Sequence, residues 1–229
     1  MSLRVHNITL ALLVFSLLLS ACETSSNPTN KTVPSGVIPI SLTTIEGLTE
    51  DIIDFVPNGD WSKVNSDISA IDKAWATYQP QAVKDGATQA TQDLFSESMS
   101  SLKSAATSQD AIETMQAANN LSTAVIDMFD LYNPAIPTDI GRLDVLERQV
   151  ILDTANQNFA AAGNTLAKIN SVWERVKPSV LEHNGQSVGE QFDNSLAIQI
   201  SAQKSKDSKR ITDEARKGLE IVDTLENLY

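Results

Sequence analysis

The sequence predicts an all-α protein, internally duplicated into two tandem four-helix bundles with a pseudo-twofold. Three observations predict it. Apolar residues recur at three- and four-residue steps from residue 42 almost to the end. No segment shows sustained strand alternation bounded by hairpin turns. The second half repeats the first at a nearly constant offset.

Each element follows from its stripe and its breaks. Leu42, Ile45, Leu48, Ile52 and Phe55 predict a helix over 42–56. Pro57-Asn58-Gly59-Asp60 ends it, and Asp60 is placed to cap the next helix. Trp61, Val64, Ile68, Ile71 and Trp75 predict a helix over 60–78, with Pro80 as its break. Leu94, Phe95, Met99 and Leu102 follow over 81–106. Ser108-Gln109-Asp110 is the next break, with Asp110 as a cap. Ile112, Met115, Leu121, Val125 and Met128 then carry a helix over 109–132. Asn133-Pro134-Ala135-Ile136-Pro137 separates the halves. The second half predicts helices over 138–154, 157–176, 179–204 and 207–228. Four helices with short connections close one antiparallel bundle.

The duplication rests on more than shared periodicity. At an offset of 98, Ile71, Trp75 and Pro80 fall on Ile169, Trp173 and Pro178. One deletion changes the offset to 97, and Phe95, Ser98, Ser104, Ala105, Ser108 and Asp110 match Phe192, Ser195, Ser201, Ala202, Ser205 and Asp207. Both halves close on Leu-Tyr, at Leu131-Tyr132 and Leu228-Tyr229. The expected organisation is therefore a signal segment over 1–21, an anchor and tether over 22–40, and repeats over 41–135 and 136–229.

The first 22 residues read as an address. Arg4 precedes an apolar run from Ile8 to Leu19, which is shorter than the roughly 20 residues a bilayer span needs. Leu19-Ser20-Ala21-Cys22 resembles the bacterial lipoprotein lipobox. That resemblance implies cleavage before Cys22, lipidation of its thiol and an extracytoplasmic, membrane-anchored protein. Stable anchoring takes two hydrophobic signals, at about 0.8 kcal/mol per buried methylene; the resemblance implies more than one chain on Cys22. Residues 23–40 are rich in proline and small polar residues and read as a tether that holds the folded part off the bilayer.

Charge and composition narrow the chemistry. The chain carries a net charge of −12, so nucleic acid is not an expected partner and electrostatics does not hold it on anionic lipid. Cys22 is the single cysteine, so once it is acylated no thiol is left for disulfides, metal sites or catalysis. His183 is the lone histidine beyond the leader, too few for a multi-histidine metal site. No Gly-x-Ser-x-Gly elbow accompanies it, and no phosphate loop or dinucleotide fingerprint is present. No cofactor and no metal site are expected. Glu46, Glu50 and Asp54 share one helical face, which reads as a solvated acidic stripe rather than a cation site.

The candidate ligand-binding residues are Asp139, Arg142, Arg148, Trp75 and Trp173. Asp139, Arg142 and Arg148 face Ser41, Thr44 and Glu50 across the repeat, a local departure from the duplication. Asp144 and Arg148 form an i,i+4 pair. The tryptophans read first as core packing and second as the walls of a cleft; equivalent positions predict similar losses on truncation. A duplicated helical protein of this kind resembles imelysin-like proteins, which are linked to iron handling. Their His-x-x-Glu motif is absent, because Gln186 stands third after His183, so no residue carries across. The Pro137-to-Asp144 stretch resembles helical lipoproteins of unassigned function. The expected function is a non-enzymatic, lipid-anchored binding or interaction module for a protein partner or small ligand. The alternatives are a carrier of a small ligand or metal cation in the inter-bundle groove and, last, a hydrolase.

Overall fold

The computed structural model describes residues 36–229; the leader, Cys22 and the tether through residue 35 lie outside the described residues. Among the described residues the chain is all-helical. Its elements are α1 (Ile40–Phe55), α2 (Trp61–Asp85), α3 (Gln89–Ser108), α4 (Ala111–Phe129), α5 (Thr138–Ala155), α6 (Phe159–Glu182), α7 (Gln186–Ser205) and α8 (Ser208–Glu226), with single 3-10 turns after α1 and α4. None is long and apolar enough to cross a membrane.

The helices start where local chemistry lets them. Asp110 accepts the Glu113 N–H, Asp207 the Arg210 N–H, Asn158 the Ala161 N–H and Thr88 the Thr91 N–H, each filling an orphan donor of a first turn. Asp60 does not act as expected: its side chain makes no cap bond and instead pairs with Lys63 at 3.0 Å. Gly59 and Gly86 close helices in the left-handed conformation that glycine adopts without strain.

Two expected breaks are corrected. Pro80 lies inside α2 and Pro178 inside α6, and the helices run on to Asp85 and Glu182. Each proline removes one ladder bond, to the carbonyl of Ala76 or Glu174. Both prolines and both of those residues are solvent-exposed, so the lost bond falls on a face of the helix open to water. Gly86, and Asn184 followed by Gly185, do the terminating instead.

Apolar faces assemble into two cores. One joins Leu42, Ile45, Ile52, Ile71, Phe95, Leu102, Leu121 and Met128 of α1–α4. The other joins Ile140, Leu143, Ile169, Trp173, Phe192, Ile211 and Val222 of α5–α8. Within the first half α1 packs on α2 and α4, and α3 on α4; within the second, α5 packs on α6 and α8, and α7 on α8. The halves belong to one compact unit, Thr32–Tyr229, and α4 against α5 is the close helix pairing that joins them. Asn119 donates to the Val145 carbonyl and to Gln149 across this seam, and Gln149 exchanges hydrogen bonds with Gln116.

Candidate functional site

The five expected ligand residues are not brought to one place. Trp173 is fully buried, tilts on Phe192 at 4.7 Å and donates its Nε1–H to Asp193 at 2.7 Å. Trp75 is half-buried and stacks on Phe95 at 3.8 Å. Each tryptophan joins its own helix to the next, and neither is among the residues that line the hollows beside Asp139 and Glu46. Their burial differs, Trp173 being buried and Trp75 half-buried.

Asp139 and Arg142 work as a clamp on the chain crossing. Arg142 reaches Asp127 at 3.0 Å and Asp139 at 3.2 Å, and also pairs with Asp130. It thereby ties the first turns of α5 to the end of α4. Arg175 adds a two-pronged bond to Asp139 at 2.8 and 3.0 Å. Against the upward push of burial, Arg175 and Arg142 hold Asp139 below the usual carboxylate range. These residues line a hollow of about 320 Å³ with Asn133, Pro134 and Ser179. Its charges are already matched to one another.

Arg148 turns the other way. It pairs with Asp144 at 2.7 Å on its own helix and with Glu50 of α1 at 2.7 Å, a contact between the two halves. The acidic stripe of α1 is therefore not the solvated face expected. Asp54 is exposed, but Glu46 is half-buried and Glu50 is drawn to Arg148.

On the far side of Pro134–Thr138 lies a second hollow, of about 420 Å³. Its apolar wall is built from Ile38, Ile126, Phe129, Pro134, Ile136 and Pro137. Its polar side is Glu46 of α1, Glu226 at the end of α8, and Thr43 and Thr138. Among the described residues, no lysine or arginine pairs with Glu46 or Glu226, and neither carboxylate accepts a side-chain hydrogen bond. Burial, then the like charges of Glu50, Asp144 and Glu226, push Glu46 up to about 8. Partial burial and Asp223 also raise Glu226, which sits at the open rim. Burial raises Asp144 too, although Arg148 opposes it.

Sequence reading missed Glu226 and dismissed Glu46. The lining comes from residues 36–46, 126–141 and 226, which no local spacing brings together. The one available signal was that Glu46 lies one residue from Ile45, on the edge of the buried stripe rather than opposite it.

No protein-family model, curated protein or solved structure matches this chain. Among the described residues, no group of three or more His, Cys, Asp or Glu side chains is arranged to hold a metal ion.

Proposed function

We propose that the chain is a membrane-anchored extracytoplasmic lipoprotein, lipidated on Cys22, whose helical body binds a small ligand in the hollow bordered by Glu46 and Glu226. The body is two four-helix bundles descended from one duplicated unit. What carries the binding reading is the hollow itself: apolar on one side, and on the other two carboxylates without a partner among the described residues. A concave, mostly apolar site with a few convergent polar groups is the usual form of a small-molecule site, and about 420 Å³ lies within the usual range of such sites.

Other features support the remaining parts of the proposal. The lipobox-like tetrapeptide supports the anchor. Helix starts at Ile40 and Thr138, and at Trp61 and Phe159, lie 98 residues apart; those at Gln89 and Gln186, and at Ala111 and Ser208, lie 97 apart. The capping aspartates Asp110 and Asp207 and the pairs Trp75–Phe95 and Trp173–Phe192 repeat likewise. These recurrences support duplication.

One observation favours a hydrolase as the second reading: Glu46, held protonated near neutral pH, is a suitable general acid. Its companion base would be Asp144, which is committed to Arg148 and does not line the hollow. Binding without catalysis is therefore the preferred function, with no cofactor and no nucleic-acid partner.

Two measurements test this reading. Cys22→Ser should abolish palmitate labelling and membrane fractionation; equal labelling of wild type and variant would refute the anchor. Native mass spectrometry of the full chain, extracted from its own membrane, should show a retained small molecule that Ile136→Trp, which fills the hollow, expels. Ile136 is 40% exposed, so the fold tolerates the change. A ligand retained equally by the variant would move the site elsewhere.

A further inference from the structure

The geometry points to a small organic ammonium ion with an apolar body as the ligand of the Glu46–Glu226 hollow, an inference that rests on that hollow being the ligand seat. Glu46, Glu50, Asp144 and Glu226 act on one another electrostatically, and among the described residues Arg148 is the cation that acts on this set. Its guanidinium is taken by Glu50 and Asp144. Glu46 and Glu226 are left to line the hollow, and a positive charge placed there meets two carboxyl groups and no lysine or arginine among the lining residues.

Ile126, Phe129, Ile136 and Pro137 offer apolar and aromatic surface within the same hollow. A hard metal ion gains nothing from such a wall. Calcium takes six to eight oxygen ligands and magnesium six, and the lining offers two carboxylates and two threonines. An ammonium group has three N–H donors, enough to serve both carboxylates at once, while a hydrocarbon or aryl body covers the wall. An anionic ligand would meet two carboxyl groups of its own sign, and a neutral one would bring no charge to balance them.

In the empty site Glu46 holds its proton up to about pH 8, chiefly because it is buried. An ammonium ion favours the ionised carboxylate, so binding below that pH expels the proton. Affinity must then climb as pH rises toward about 8 and level off above it. A purely apolar ligand would show no such climb.

The test uses the full chain in detergent with three probes of similar shape: 2-phenylethylammonium, 2-phenylethanol and 3-phenylpropionate. Isothermal titration calorimetry at pH 6.5 and pH 8.5 reads affinity, and buffers of different ionisation enthalpy read proton release. The expected result is saturable binding of the ammonium, about tenfold tighter than of the alcohol. Binding should also tighten by about twentyfold between the two pH values, with a proton released at the lower one. Glu46→Gln and Glu226→Gln should each weaken the ammonium by about tenfold while leaving the melting transition in place; Glu46→Gln should also remove the proton release. If the alcohol or the carboxylate binds as tightly as the ammonium, and Ile136→Trp blocks it, the hollow remains a ligand seat and the ammonium assignment is overturned. If calcium competes with the ammonium and Glu46→Gln abolishes that competition, the assignment is overturned in favour of a metal. If no probe binds, both the assignment and the ligand seat are overturned.

Discussion

Glu147 is the most exacting residue in the molecule. It is fully buried on α5, and Gln199 of α7 donates to its Oε1 at 3.1 Å. Its other oxygen has no partner. Gly218 of α8 leaves the room for it: a Cβ there would stand 2.5 Å from the carboxyl carbon. In the first half, Thr49, 98 residues earlier, bonds to Ser122 at 2.7 Å. Burial pushes Glu147 from 4.5 up to about 8. The folded chain therefore keeps a proton that the unfolded chain releases above about pH 4.5. The resulting stability is complete below pH 4.5 and is lost as pH rises through about 8. Chemical denaturation at pH 5 and pH 8.5 should show wild type losing stability over that interval. Glu147→Gln should reduce the loss by about 1–3 kcal/mol; an unchanged loss would mean that Glu147 is not the group responsible. Gly218→Ala should destabilise at both pH values, by about 1–3 kcal/mol, because the carboxyl group cannot retreat into a filled core. Ile140, Leu143, Glu147 and Val150 keep a helical step, although Glu147 was not singled out from the sequence. What the spacing could not announce was the glycine of α8 that accommodates it, because that pairing depends on tertiary packing.

The tryptophans belong to the same scale. Trp173→Ala should cost about 3–5 kcal/mol, as expected of a buried aromatic with a satisfied N–H. Trp75→Ala should cost less, about 1–3 kcal/mol, because that ring is partly exposed. Denaturant unfolding of the two variants decides this, and equal losses would contradict the packing described for Trp75.

For the elements, periodicity located every helix and mistook four ends, the last turns of α2 and α6 and the starts of α3 and α7 that follow them. Prolines were read as stops, yet Pro80 and Pro178 sit on solvent faces where a lost backbone bond is open to water. Burial decides whether a proline breaks a helix, and burial is not written in a five-residue window. Pro80→Ala should restore a ladder bond and raise stability by about 1–2 kcal/mol, after the more flexible unfolded chain takes back part of the gain. A loss on unfolding assays would show that the ring packs on something not apparent from its exposure. Between elements, Arg148 holds α1 to α5. Its removal leaves Glu50 and Asp144 facing one another beside Glu46. Arg148→Ala should cost about 2–4 kcal/mol at pH 8.5 and less at pH 5, where the raised carboxyls are protonated. Unfolding at the two pH values reads the difference. The sequence singled out Arg148 for its i,i+4 bond to Asp144, which is present; the second partner, Glu50, lies 98 residues away and had no local sign.

In the whole molecule, the acidic composition and the repeated pattern set the outline: a helical body bearing many more carboxylates than cations. The outline was legible because helical period, capping aspartates and recurring Trp–Phe pairs are local or regularly spaced. The hollow was not, because it forms where the start of α1, the end of α4, the linker Asn133–Pro137, the first turn of α5 and the last turn of α8 meet. The Asp139–Arg142 clamp holds that crossing and lines the neighbouring hollow.

The claim that this crossing seats a ligand is most directly tested by hydrogen–deuterium exchange of the full chain with and without saturating 2-phenylethylammonium. The account predicts slowed exchange confined to residues 38–46, 126–141 and the last turn of α8, with α3 and α7 unchanged. Protection centred elsewhere, or none at a concentration where calorimetry shows saturation, would contradict it.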